Sequence, residues 1–215
     1  MHTRPQDAWN KVALLKILEG AHKENRDSPA DNFCIQKLGF VSEVNGRKIG
    51  SNAAFFKFYR YNYGPYSSTL ANDVRKLEKL RLIDSESREL TDRGRFLLEY
   101  LQPEIEASPV ARNAILAIDQ TIKEWGAYRS WHIVNRVYDL NVPVDGRHGQ
   151  EMRVRDIPMN TDILDPELRK GPELLSIQMA DFVEQELAIS AEDLDPTSPK
   201  FIESINAHLR NVHAM

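Results

Sequence analysis

Residues 58–83 read Phe58-Tyr59-Arg60-Tyr61-Asn62-Tyr63-Gly64-Pro65-Tyr66-Ser67-Ser68-Thr69-Leu70-Ala71-Asn72-Asp73-Val74-Arg75-Lys76-Leu77-Glu78-Lys79-Leu80-Arg81-Leu82-Ile83. The aromatic run over 53–63 favours extended structure, although a short helix starting at Ser51 also fits its period, and Gly64-Pro65 stops it. Ser67 and Ser68 then offer hydroxyls to the free N–H groups of a helix's first turn. Leu70, Val74, Leu77 and Leu80 follow at spacings that put them on one face. Lys76 and Lys79 fall outside that stripe, and Arg75 and Arg81 border it. Leu82-Ile83 makes an apolar exit. The polar stretch 84–88 suits a hairpin tip, Glu89-Leu90 resumes extended structure, and Thr91 caps a helix over 92–101 that Pro103 stops. A capped helix, an apolar exit, a short hairpin and a second capped helix is the order of a winged helix-turn-helix. The expected fold is therefore mainly α with a small β-hairpin wing.

Working outward, helical spacing places a first helix over 8–22, with Trp9, Val12, Leu15, Ile17 and Leu18 apolar. Asp31 is placed to cap a second helix carrying Phe33, Cys34, Leu38 and Val41, which Asn45-Gly46 closes as a turn signal. Two more helices follow, over 111–125 and 131–140, the first with Ile115, Ile118 and Ile122, the second with Ile133, Val134, Val137 and Tyr138. Beyond 142 the pattern weakens. Residues 145–149 read as an exposed loop, and helical candidates remain over 173–186 and 199–212. The domain reading is a winged-helix-like helical domain over 1–142 and an acidic C-terminal extension over 143–215.

Composition narrows the classes. The chain has 215 residues, 41% hydrophobic and 28% charged, an ordinary globular balance. No apolar stretch approaches the roughly 20 residues of a membrane span, and the N-terminal residues show no signal-peptide pattern. With the single Cys34, this leads to the expectation of a cytoplasmic protein without disulfides, cofactor or metal. Up to Gln102 there are 17 basic and 13 acidic residues, a balance of +4; after it there are 11 and 19, a balance of −8. Such asymmetry fits a nucleic-acid face beside an acidic half, or simply two solvated surfaces.

The segment 58–70, with Asp73-Val74 and 77–83, resembles the tyrosine–Gly-Pro-Tyr-Ser region of the YwgA-like proteins. It is also similar to the related Panacea (SocA-like) antitoxin domain, whose hallmark is an aromatic-Gly-Pro turn before a helix. Ile35-Gln36-Lys37-Leu38-Gly39-Phe40 resembles that family's early Gln-Lys-Leu helix. Ile122-Lys123-Glu124-Trp125-Gly126 with Val137-Tyr138 resembles its closing helix pair. The resemblance spans roughly residues 8–142, about two thirds of the chain. It implies a non-enzymatic, mostly helical domain of bacterial and phage toxin–antitoxin or defence loci. The Panacea relatives neutralise a partner toxin by direct contact or as an adaptor.

No catalytic constellation stands out in the sequence. The six histidines form no HExxH pair, His208 and His213 are poorly spaced for a metal, and no phosphate-binding glycine loop is present. Cys34 falls on the apolar side of its helix, as a core residue does. Two binding readings follow. In the first, the helix after Gly-Pro enters the major groove of duplex DNA, as a dimer. Ser67, Ser68, Thr69 and Asn72 then stand at its N-terminal end, while Arg75, Lys76, Lys79 and Arg88 face phosphates; Asp73 at the same end opposes it. In the second, Arg60, Tyr61, Tyr63 and Tyr66 form a protein interface for a partner toxin, because Tyr and Arg are enriched in interfaces. Phe56 and Phe58 are expected in the core.

Overall fold

The computed structural model describes residues 4–26, 30–144, 150–164 and Val183. Among the described residues the chain is mainly helical, with two small antiparallel sheets. Helices α1 (Arg4–Glu24) and α2 (Asn32–Lys48) precede a hairpin of β1 (Phe58–Tyr61) and β2 (Gly64–Tyr66). Then come α3 (Ser68–Lys79), α4 (Asp92–Ala107), α5 (Pro109–Trp125) and α6 (Ser130–Tyr138). Short strands β3 (Asn141–Pro143), β4 (Glu151–Arg153) and β5 (Asp162–Leu164) follow. The core lies where α5 packs along α1 and α2, around the fully buried Trp9, Leu14, Phe40 and Ile118. Cys34, Phe56 and Phe58 are buried with them, as expected.

The expected caps form. Asp31 accepts a hydrogen bond from the Cys34 N–H, Ser67 from that of Leu70, and Thr91 from that of Gly94. Each satisfies one of the orphan donors in a first helical turn. Between α2 and β1 the backbone is neither helix nor strand, yet it is buried, so its polar groups need partners. Side chains supply them: the Trp9 indole N–H donates to the Ala53 carbonyl (2.9 Å), the Ala54 N–H donates to Glu43 (3.1 Å), and the Phe55 N–H donates to Asn10 (2.7 Å). Those bonds hold the segment out of the helical alternative considered from Ser51.

Three local expectations are corrected. Asn45-Gly46 does not close α2, which runs on to Lys48. The Asn45 amide donates to Thr121 of α5, and a Cβ at Gly46 would stand 2.8 Å from the Ala53 backbone nitrogen. Both residues serve packing, so the pair is no turn. Gly64-Pro65 does not end extended structure; it begins β2, with Gly64 at φ +91° after a two-residue loop. Pro65 fits there because β2 is an edge strand, where a missing N–H leaves no ladder bond unmade. Pro103 does not stop α4, which runs on to Ala107; Pro103 and Glu99 both lie on its exposed side, where a carbonyl deprived of its helical partner is least costly.

Between α3 and α4 the expected hairpin is present in its shortest form. Residues 84–88 form the turn expected there, closing a minimal hairpin in which a single antiparallel bridge joins Ile83 and Leu90. The Asp84 carboxylate accepts from the N–H groups of Glu86 and Ser87 and from the Ser87 hydroxyl, folding the turn onto itself. Those bonds also hold its pKa below the usual carboxylate value. A longer hairpin, β1–β2, is paired Tyr59 to Tyr66, Arg60 to Pro65 and Tyr61 to Gly64.

On its other edge β1 pairs with β5, through Phe58 to Leu164 and Tyr59 to Asp162. A boundary after Val142 falls inside β3, and Val154, Ile157, Ile163 and Leu164 join the same core. The loop expected at 145–149 and the helices expected over 173–186 and 199–212 lie outside the described residues, apart from Val183.

Gly94 marks the tightest approach. A Cβ there would stand 2.2 Å from the Leu82 carbonyl oxygen, where α4 crosses the exit from α3. Gly94→Ala is expected to destabilise the protein by about 1–3 kcal/mol through forced backbone displacement, read as a lower urea midpoint. An unchanged midpoint would show that the two elements separate freely.

Candidate functional site

The hairpin is fastened to α2 by two adjacent side chains. The Gln36 amide donates to the Ser67 carbonyl (2.9 Å) and accepts from the Ser67 N–H (2.8 Å). The Lys37 amine donates to the Pro65 carbonyl (2.8 Å). Both side chains are buried. Burial, with repulsion from Arg60 adding to it, lowers the Lys37 pKa to about 7.

This fastening opens a cleft of about 500 Å³ between the N-terminal half of α2, the β1–β2 hairpin and α3. Its apolar floor includes Ile35, Leu70 and Val74, all buried. Phe33, Tyr61, Tyr63 and Tyr66 form its aromatic walls. At its charged end stand Arg75, Glu78 and Arg88, with Arg88 paired to Glu78 at 2.7 Å. The Arg75 guanidinium donates to the Asn72 side chain (3.2 Å) and has no carboxylate partner among the described residues. The aromatic wall continues out of the cleft onto α6: the Tyr63 ring packs edge-on to Phe33 (5.3 Å) and to Trp131 (5.2 Å). These rings are well exposed, Phe33 by 39%, Tyr61 by 43%, Tyr63 by 45% and Trp131 by 57%.

The cleft thus brings together residues from both readings of the sequence. Tyr61, Tyr63 and Tyr66 share it with Arg75 and Arg88. Tyr66 is half-buried and packs against Tyr59 (5.7 Å) and Tyr61 (5.6 Å). Arg60 lies on the other face of the hairpin, donating to the Val154 carbonyl (3.2 Å) with its guanidinium 5.0 Å from the Tyr138 ring centroid. It braces the hairpin. Ser67, offered as a DNA contact, is fully buried; its hydroxyl caps α3 and its backbone bonds to Gln36. Thr69 is half-buried, while Ser68, Asn72, Arg75, Lys76 and Lys79 share one exposed face of α3. Asp73 is not on that face: it is buried, desolvation raises its pKa, and Lys76 approaches it at 3.5 Å.

Phe33 and Trp131 were not recognised as surface residues from the sequence. A signal was available, since the buried stripe of α6 is Ile133, Val134 and Val137, and Trp131 falls off it. Phe33 likewise precedes the stripe of Cys34, Leu38 and Val41. Their convergence on Tyr63 is tertiary and has no local signature.

Cys34 is buried, and burial pushes its thiol up to about 12 despite the nearby Arg129 guanidinium. Such a thiol is a poor nucleophile. Among the described residues no group of three or more His, Cys, Asp or Glu is arranged to hold a metal, and no helix is long and apolar enough to cross a membrane. No family model, curated protein or solved structure matches this chain.

The Lys37 pKa makes a signed prediction. An unfolded lysine keeps its proton to about pH 10.5, whereas folded Lys37 releases it near pH 7. The unfolded chain therefore binds more protons between these values, and stability rises with pH. Above pH 9 Cys34 acts oppositely, because its thiol ionises more easily unfolded. Urea unfolding is expected to show a higher midpoint at pH 9 than at pH 7, a difference that Lys37→Met removes. A wild-type midpoint that does not rise over this interval would contradict the burial of this amine.

Proposed function

We propose that the chain is a non-enzymatic binding protein of the toxin–antitoxin or defence type implied by its resemblance to YwgA-like and Panacea proteins. It holds a partner protein by direct contact on the face formed by Phe33, Tyr61, Tyr63 and Trp131. One observation carries this reading: four large aromatic rings stand exposed together beside an open cleft. Contiguous apolar patches on soluble proteins mark interaction sites, and Tyr, Trp and Arg dominate interface hot spots. Tyr63→Ala combined with Trp131→Ala is expected to weaken binding of the protein encoded beside this chain by about 30-fold, or about 2 kcal/mol. The unfolding midpoint stays near the wild type, because both rings are exposed. Titration of the two purified proteins measures this, and equal affinity for the variant refutes the reading.

A second reading, duplex DNA bound through α3 as the recognition helix of a winged helix-turn-helix, has its own support. Ser68, Asn72, Arg75, Lys76 and Lys79 share one exposed face that carries no exposed carboxylate. Against it, Ser67 is buried, Arg88 is paired and residues 84–88 form no extended wing. If DNA is a ligand, Arg75→Ala with Lys79→Ala lowers the slope of log affinity against log salt by about one unit per lost phosphate contact. An unchanged slope takes α3 out of any such interface.

A further inference from the structure

We infer that the occupant of the cleft is an acidic segment of a partner protein, with a carboxylate docked on Arg75 and its neighbouring apolar side chain laid along Tyr61 and Phe33. This rests on the protein-binding reading above and names the chemistry of what enters. The argument is one of complementary charge and shape. Among the described residues Glu78 is the one carboxylate lining the cleft, and Arg88 already neutralises it at 2.7 Å. Lys37 is turned into the wall, its amine on the Pro65 carbonyl. Arg75 is left with an exposed guanidinium, held by Asn72 through one nitrogen.

A guanidinium has five N–H donors in a planar fork and engages a carboxylate through two at once. Arg75 therefore has donors to offer beyond its bond to Asn72. A basic segment would instead bring like charge to Arg75 with no free carboxylate among the described lining residues to receive it, which disfavours that class of partner. Beside the guanidinium, the floor of Ile35, Leu70 and Val74 and the rings of Tyr61 and Phe33 offer mainly apolar contact. A volume of about 500 Å³ takes a few side chains, as a linear segment presents them, and not a folded domain.

The test is selection from a phage-displayed library of random dodecapeptides on the full chain, followed by titration of a synthetic copy of the selected peptide. The expected sequences place Asp or Glu beside Leu, Phe or Trp. The selected peptide is expected to lose about tenfold or more in affinity on Arg75→Glu, while the surface control Lys23→Glu binds as the wild type does. Selection of basic or uncharged peptides overturns the inference. So does a peptide that binds Arg75→Glu undiminished. If that same peptide is lost on Tyr63→Ala with Trp131→Ala, the aromatic face stands as an interface and only the acidic chemistry fails. If neither variant affects any selected peptide, the interface reading fails with it. Binding of single-stranded oligothymidylate that Arg75→Glu abolishes, in place of any peptide, assigns the cleft to nucleic acid and also overturns the inference.

Discussion

Two consecutive side chains of α2, Gln36 and Lys37, hold the backbone of the turn over 64–67, and the rest of the site depends on that hold. Ser67 is the pivot. Its N–H and carbonyl are both bound by Gln36, and its hydroxyl caps α3, so the position and start of α3 are set from α2. Pro65 lies on the outer edge of its sheet and has no N–H, so its buried carbonyl takes the Lys37 amine. A buried carbonyl or amide left without a partner costs about 1–3 kcal/mol. Loss of the Gln36 amide would orphan two such groups together. The Gln-Lys pair and the Gly-Pro-Tyr-Ser turn are separate in the chain but one unit physically.

The same economy governs the charges. The excess of basic residues before Gln102 suggests more cationic surface than the protein presents. Lys37 faces a carbonyl, Arg60 braces the hairpin between Val154 and Tyr138, Arg88 pairs with Glu78, and Lys76 lies near buried Asp73. Arg75 and Lys79 remain as the exposed cations of α3 whose charge no neighbour among the described residues cancels. A count of charges measures solubility; what a face attracts depends on which charges are already answered.

Much of the architecture could be read from local chemistry. The caps Asp31, Ser67 and Thr91 appear where hydroxyl and carboxylate side chains precede apolar periodicity, and the α3 stripe is buried at Leu70, Val74 and Leu77. Misreadings cluster where a residue with a strong local preference has a tertiary task. Gly46 looks like a turn but makes room for the returning backbone at Ala53, and Pro103 looks like a stop but lies inside α4 on its exposed side. Of the site, Tyr61, Tyr63, Tyr66 and Arg75 were legible as interface or contact types. Their meeting with Phe33 and Trp131 was not, because it depends on how α2, α6 and the hairpin are set against one another.

The pairing of β1 with β5 links residues 58–61 to residues 162–164, about a hundred positions further on. On a ribosome adding roughly 5–20 residues per second, that separation means a wait of about 5–20 s. During it, α1, α2 and the hairpin have already been made, while one edge of β1 has no strand beside it. An unpaired edge of Phe-Tyr-Arg-Tyr invites another chain. The nascent protein therefore passes through an interval of exposure that the finished one does not show, and a chain ending before β5 would keep that edge open permanently.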